Sequence, residues 1–139
     1  LQLWGTEVCR KGFHDDIWIA SLENKLRNSE DNVVISDCRF PNEIRAIKKA
    51  GGIVIWVQRG ELPSWYSNAL YANAGSKQDQ EKLKELGVHS SETAWVGTPF
   101  DYTLGNNTSI DNLYKEVKDL VSDLLGANER PLYAELERS

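Results

Sequence analysis

The sequence of 139 residues predicts an α/β fold. Two β-branched runs, Val33-Val34-Ile35 and Ile53-Val54-Ile55-Trp56-Val57, carry that prediction together with the segment between them, which bears helix signals at both ends. Each run stops abruptly at polar residues, Ser36-Asp37 and Gln58-Arg59, and both read as strands buried on two faces. In the intervening segment Pro41 suits the first helical position and Glu43 lies in the positive first turn. Ile44 and Ile47 face inward, Lys48 and Lys49 suit the negative end, and Gly51-Gly52 terminate the helix. So compact a connection is expected to be a right-handed crossover between parallel strands, placing Asp37, Arg39 and Arg59 at the carboxyl edge of the sheet.

Ahead of this unit, Asp15 or Asp16 caps a helix in which Trp18, Leu22 and Leu26 recur every four residues, ending in the polar residues 28–32. Beyond it, from residue 60 to about 88, the periodicity fades. Trp65, Tyr66 and Tyr71 are scattered among Ser, Asn, Gly and Gln, and a charged helical piece follows at 79–86. A long, weakly patterned insertion of this kind is expected to act as a binding lid or a mobile loop. Residues 102–104 form a short third strand before Gly105-Asn106-Asn107. Thr108 or Ser109 then caps the clearest helix, whose Ile110, Leu113, Val117, Leu120, Val121, Leu124 and Leu125 make one apolar stripe ending at Gly126. The polar remainder, 127–139, contains Pro131 and is expected to dock loosely or stay mobile.

Composition removes several function classes. Sixteen Lys and Arg against 21 Asp and Glu give a net charge of −5, which supplies no global field for duplex nucleic acid. Forty per cent apolar and 27% charged residues match one soluble folded domain rather than a disordered chain. The longest apolar run, 53–57, is far too short to span a bilayer and no charged-then-apolar leader opens the sequence, so a cytoplasmic location is expected. Cys9 and Cys38 have neither C-x-x-C spacing nor a nearby histidine set, which fits reduced thiols and no zinc site. His14-Asp15-Asp16 has no second ligand cluster and reads as helix capping rather than a metal site. The absence of methionine and a start at Leu1 read as the later part of a longer protein.

The most informative cluster is Asp37-Cys38-Arg39-Phe40-Pro41-Asn42-Glu43, at the turn from strand to helix where open α/β sheets bind ligands. The guanidinium of Arg39 presents a donor fork suited to phosphate, whereas Asp37 and Glu43 accept, so the trio suits a phosphorylated ligand with hydroxyl or amino donors, such as a nucleotide. The alternative is a structural bridge from Arg39 to Asp37 or Glu43. A second cluster, Gln2, Gly5, Thr6, Glu7, Arg10 and Lys11, opens the chain beside Trp4. Gln2 can pair with a base edge, Gly5 lets backbone approach a flat ring, and Trp18 can stack on a base; the alternative is a surface loop followed by a core tryptophan. His89-Ser90-Ser91-Glu92 has the residue types of a catalytic set, yet triads are assembled from distant segments, and Ser90 or Ser91 reads as a helix cap in a lid contact. No catalytic residue is assigned. The 139 residues contain no G-x-x-x-x-G-K-[ST] phosphate loop and no G-x-G-x-x-G fingerprint.

The order Gln2-x-x-Gly5-Thr6-Glu7, Arg10, Trp18, Asp37-x-Arg39-Phe40-x-Asn42-Glu43, Gly51-Gly52 and Arg59 resembles the bacteriophage-type deoxynucleoside monophosphate kinases, a family of P-loop NTPases. His89 to Glu92 and the segment from Asp101 to Asn106 fit the same pattern, so the resemblance runs from Gln2 to about Leu125. It implies a layered α/β/α fold whose parallel sheet is incomplete, lacking the P-loop strand. Residues 1–126 would be the acceptor-binding part, with a lid-like insertion at about 60–92, and 127–139 a polar tail. The complete enzyme would move the γ-phosphate of ATP, with Mg²⁺, to a deoxynucleoside monophosphate. Gln2, Gly5, Thr6, Trp18, Asp37, Arg39 and Glu43 would surround that acceptor, Arg39 at its phosphate and Trp18 near its base. Arg59 would be a cation at the lid hinge and Asn106 part of the donor adenine side. Phosphoryl transfer depends on charge neutralisation at the γ-phosphate, so without the loop this chain alone is expected to be inactive and to hold neither ATP nor Mg²⁺ tightly. The alternative is a non-catalytic nucleotide-binding or interaction module that has lost the loop. Uncovered strand edges make a homo-oligomer an expected partner arrangement. For the monophosphate, Arg39 is expected to matter far more than Arg10.

Overall fold

The computed structural model describes residues 3–11, 14 and 16–128; Gln2, Asp15 and the tail from 129 lie outside them. The chain falls into two compact units, one of residues up to Val54 with Leu62–Asp101, the other of Ile55–Glu61 with the residues from Tyr102 on. Among the described residues there are six α-helices and one two-stranded parallel sheet, a mixed α/β fold.

The first unit opens with a π-helical segment, Leu3–Arg10, that buries Thr6, Cys9 and Arg10. Helix α1 (Ile17–Arg27) follows, with Asp16 at its cap position. The Asp16 carboxylate does not cap the helix; it accepts from Asn42 Nδ2 at 2.9 Å and so ties the start of α1 to the start of the next helix. That helix, α2 (Pro41–Lys49), begins as its residues predict. Glu43, in its first turn, reaches back so that Oε2 accepts the Arg39 and Phe40 N–H groups at 2.8 and 3.0 Å, satisfying donors left open ahead of the helix. Ile44 is buried, and α1 packs against α2 and the opening segment.

The Gly51-Gly52 pair closes α2 through two hydrogen bonds, Gly51 N–H to Lys48 O at 3.0 Å and Gly52 N–H to Ile47 O at 2.9 Å. The two glycines serve different needs. Gly51 has φ +81°, a left-handed conformation, whereas a Cβ on Gly52 would stand 2.6 Å from Ile47 Cγ2 and 2.9 Å from its carbonyl oxygen.

The expected strand at Val33-Val34-Ile35 does not form, and with it the strand-helix-strand crossover is corrected. Val34 is 92% exposed and no ladder partner for the run exists among the described residues. A β-branched run favours extended backbone, but a strand is completed only by a neighbour that takes its N–H and C=O groups.

The segment expected to be a lid or mobile loop is helical: α3 (Tyr66–Asn73), α4 (Lys77–Glu85) and the short α5 (Ser90–Thr93). Ala69 and Ala72 of α3, Leu83 of α4 and Val96 form its core, with Trp65, Tyr66 and Trp95 packed around them. Small alanines let the helices approach closely, which leaves little hydrophobic periodicity to read in so short an element. Ser76 caps α4, its Oγ accepting from Asp79 N–H at 3.3 Å, and Asn73 Nδ2 donates to Thr93 O and Val96 O at 2.9 and 2.8 Å. His89 occupies the cap of α5 in place of the expected Ser90 or Ser91.

In the second unit β1 (Ile55–Gln58) pairs in parallel with β2 (Tyr102–Gly105), Ile55 opposite Tyr102 and Gln58 opposite Gly105. The strand therefore starts two residues later than the apolar run suggests. In the first unit Val54 is held instead by Asp101, whose carboxylate accepts Val54 N–H at 2.8 Å and whose own N–H donates to Val54 O at 2.7 Å. Helix α6 (Ile110–Asn128) packs on β2, with Ser109 Oγ accepting Asn112 N–H at 3.3 Å as expected of a cap. The helix runs through Gly126 to Asn128, and Val117, Val121 and Leu125 of its stripe are exposed. An isolated glycine costs a helix only about 1 kcal/mol, too little to end it.

Candidate functional site

A cleft of about 550 Å³ lies within the first unit, walled by α1 on one side and the turn from Ile35 to Glu43 on the other. Thr6, Trp18, Asp37, Arg39 and Glu43 all line it. Helical spacing puts Trp18, Ser21, Leu22 and Lys25 on the face of α1 that turns toward the cleft. Trp18 is 40% exposed, a wall residue and not a core one. Gly5 lies in the opening helical segment, and Gln2 is outside the described residues. Arg59 and Asn106 belong to the second unit, where they follow β1 and β2 at the carboxyl ends of the parallel strands; Asn106 N–H donates to Gln58 O at 2.8 Å.

The residue types alone missed the group around which the turn is organised. Arg10 is only 5% exposed and forms an ion pair with Glu43 Oε1. Its other guanidinium nitrogen donates to Asn42 Oδ1 at 3.3 Å, and its Cζ stands 4.0 Å from the centroid of the Phe40 ring. Glu43 thus serves two masters, taking Arg10 on one oxygen and the Arg39 and Phe40 amides on the other. A cation 33 residues before its carboxylate partner gives no sign in sequence that it will be buried against the first turn of α2. A second cleft, of about 840 Å³, shares Thr6, Arg10 and Phe40 with the first and adds Lys11, His14 and Arg45.

Arg39 differs from Arg10. Its side chain is 47% exposed and its Nη1 lies 3.4 Å from Glu92 Oε1, so neither Asp37 nor Glu43 takes its guanidinium. Next to Glu92, His89 accepts Ser91 N–H on Nδ1 at 3.2 Å. That leaves its ring proton on Nε2, which faces Glu7 Oε1 at 3.6 Å. The Glu7 carboxyl is held below its ordinary range chiefly by Lys11, 2.7 Å away, with His89 adding to it. Between Asp37 and Arg39, burial pushes the Cys38 thiol up to about 11, and the charges of Glu43 and Asp37 push in the same direction. Cys38 is a neutral thiol at physiological pH and no nucleophile.

Among the described residues no three His, Cys, Asp or Glu side chains gather as a metal-binding group. What the cleft does offer is an aromatic wall, cations able to donate to an anion, and an accepting carboxylate at Asp37. No helix among the described residues is long and apolar enough to cross a membrane.

A mixed α/β chain with a polar, aromatic-walled cleft at a helix start is the class that these observations define. No family model matches the chain, and no solved structure matches it. Over 119 residues it is 29% identical to the deoxynucleoside-5'-monophosphate kinase of Escherichia phage T5. The similarity covers 84% of this chain and 42% of that kinase, so the chain spans less than half the length of its relative.

Proposed function

We propose that this chain is the acceptor-binding part of a deoxynucleoside monophosphate kinase and that its cleft holds the monophosphate. One observation carries the reading: Thr6, Trp18, Asp37, Arg39 and Glu43, scattered over 38 residues of sequence, line a single cleft. The similarity to the phage kinase over most of this chain supports the same reading. In this arrangement Trp18 packs against the base and the Arg39 guanidinium leaves Glu92 to take phosphate oxygens in its fork. Asp37 accepts from a sugar hydroxyl or a base amino group. Glu43 acts at one remove, holding the Arg39 backbone amide so that the side chain is presented at the cleft wall. In the complete enzyme ATP, with Mg²⁺, is the second substrate; its γ-phosphoryl group moves to an oxygen of the bound monophosphate and leaves ADP. The parallel pair β1 and β2 would be part of a larger sheet in that enzyme, as the exposed Val33 and Val34 also suggest.

Calorimetric titration of this chain with deoxynucleoside monophosphates, beside Arg39→Ala, tests the reading. Saturable binding by the chain, weakened at least tenfold in Arg39→Ala by loss of a charge-assisted contact, is the expected outcome. No saturable binding, or equal binding by the variant, overturns it.

A further inference from the structure

We infer that Lys25 is a second phosphate-binding cation of the cleft, and that the α1 face from Trp18 to Lys25 measures out one nucleotide from base to phosphate. This rests on the monophosphate reading above and adds a residue to it. Three observations point to Lys25. It lines the same cleft as Trp18, Asp37 and Arg39. It stands seven residues after Trp18 on α1, two helical turns or roughly 10 Å along the axis, on the same face. That span suits a ligand with its flat ring at one end and its anion at the other.

Charge accounting singles it out further. Arg10 is engaged by Glu43 and Arg39 by Glu92, each an ion pair within the protein. Lys25 has no acidic partner among the described residues; the positions three and four before it on α1 are Leu22 and Ser21, and those three and four after it, at and beyond the helix end, are Asn28 and Ser29, none of them acidic. A phosphate monoester carries close to two negative charges at neutral pH. Arg39 by itself leaves such a dianion half neutralised, beside the carboxylate of Asp37. A lysine on a flexible stem, facing the same space and unpaired among the described residues, supplies the missing charge as a point donor where Arg39 supplies the fork.

The test compares a deoxynucleoside monophosphate with the deoxynucleoside of the same base, titrated into the wild-type chain, Lys25→Gln and Lys25→Arg. Lys25→Gln is expected to weaken monophosphate binding about tenfold, the worth of one charge-assisted hydrogen bond, and to leave deoxynucleoside binding unchanged. Lys25→Arg is expected to restore the monophosphate affinity, and the difference between wild type and Lys25→Gln to shrink at high salt. Glutamine is a good helix former on an exposed position, so the variant keeps its fold, checked by its unfolding midpoint. Unchanged monophosphate affinity in Lys25→Gln, or an equal loss for nucleotide and nucleoside, overturns the assignment of Lys25 while leaving the cleft reading intact. Absence of monophosphate binding by the wild-type chain overturns both.

Discussion

Arg10→Met removes the guanidinium from the turn and keeps an apolar stem of similar length. The variant leaves Glu43, 16% exposed at its side chain, with a carboxylate that has lost its cation. Removing one partner of a buried ion pair costs about 3–5 kcal/mol. Glu43 Oε2 keeps its two backbone donors at 2.8 and 3.0 Å and sits in the positive first turn of α2, which offsets part of that cost. The contact with the Phe40 ring, worth about 1 kcal/mol, is lost as well. The balance is about 3 kcal/mol, a large share of the ~5–15 kcal/mol that holds a domain of this size together. Urea unfolding should show it as a midpoint lowered by roughly 1–2 M. Glu43→Gln should cost a comparable amount by stranding Arg10, and the double variant should cost less than the two singles summed, by roughly 2 kcal/mol, because the stranded charge disappears. By contrast Arg39→Ala, which loses only an exposed pair with Glu92, should stay within about 1 kcal/mol of the parent. An Arg10→Met cost under about 1 kcal/mol, or additive single and double variants, would refute the view that this pair organises the turn.

The two glycines after α2 should separate by mechanism. Gly51→Ala costs about 1 kcal/mol for its left-handed backbone, while Gly52→Ala costs about 1–3 kcal/mol by collision with Ile47, and equal small costs in thermal melts would contradict the contact. The Asp101 carboxyl is held below its ordinary range by Lys48, 2.6 Å away, and by Val54 N–H. A depressed folded-state value means stability that is present above about pH 4 and lost as the pH falls through the folded value. Asp101→Asn should therefore lower stability at neutral pH and flatten its decline between about pH 5 and pH 2; an unaltered decline in acid unfolding would count against the pairing. Cys38, with its thiol at about 11, should alkylate about a hundredfold more slowly at pH 8 than an ordinary cysteine, measured by mass spectrometry of its peptide, and reaction at the ordinary rate would show that it is neither buried nor flanked by acids.

Helix α2 was legible almost residue by residue because its signals are local: Pro41 at the start, Glu43 one turn in, Lys48 and Lys49 before the glycines. The same holds for the cap of α6 at Ser109 and for β2, whose expected and observed starts coincide at Tyr102. Val33-Val34-Ile35 failed for the opposite reason. Nothing in three β-branched residues says whether another strand will lie beside them, and in this chain none of the described residues does. Of the three helices between residues 66 and 93, α4 was legible as a charged helical piece, whereas α3 and α5 were hidden by alanines and short spans, which pack by closeness and not by a long apolar stripe.

The candidate site divides along the same line. Residue order alone brought Asp37, Arg39 and Glu43 together at the start of α2 and put Trp18 and Lys25 on one face of α1, since nearness in sequence and the helical repeat dictate both. It was folding that set Thr6 and Trp18 across from that turn, gave Glu43 to Arg10, turned Arg39 toward Glu92 and left Lys25 without an acidic partner among the described residues. Helix repeats and caps are written in neighbours a few residues apart, whereas the choice of which charge is buried with which depends on contacts more than thirty residues apart in the chain.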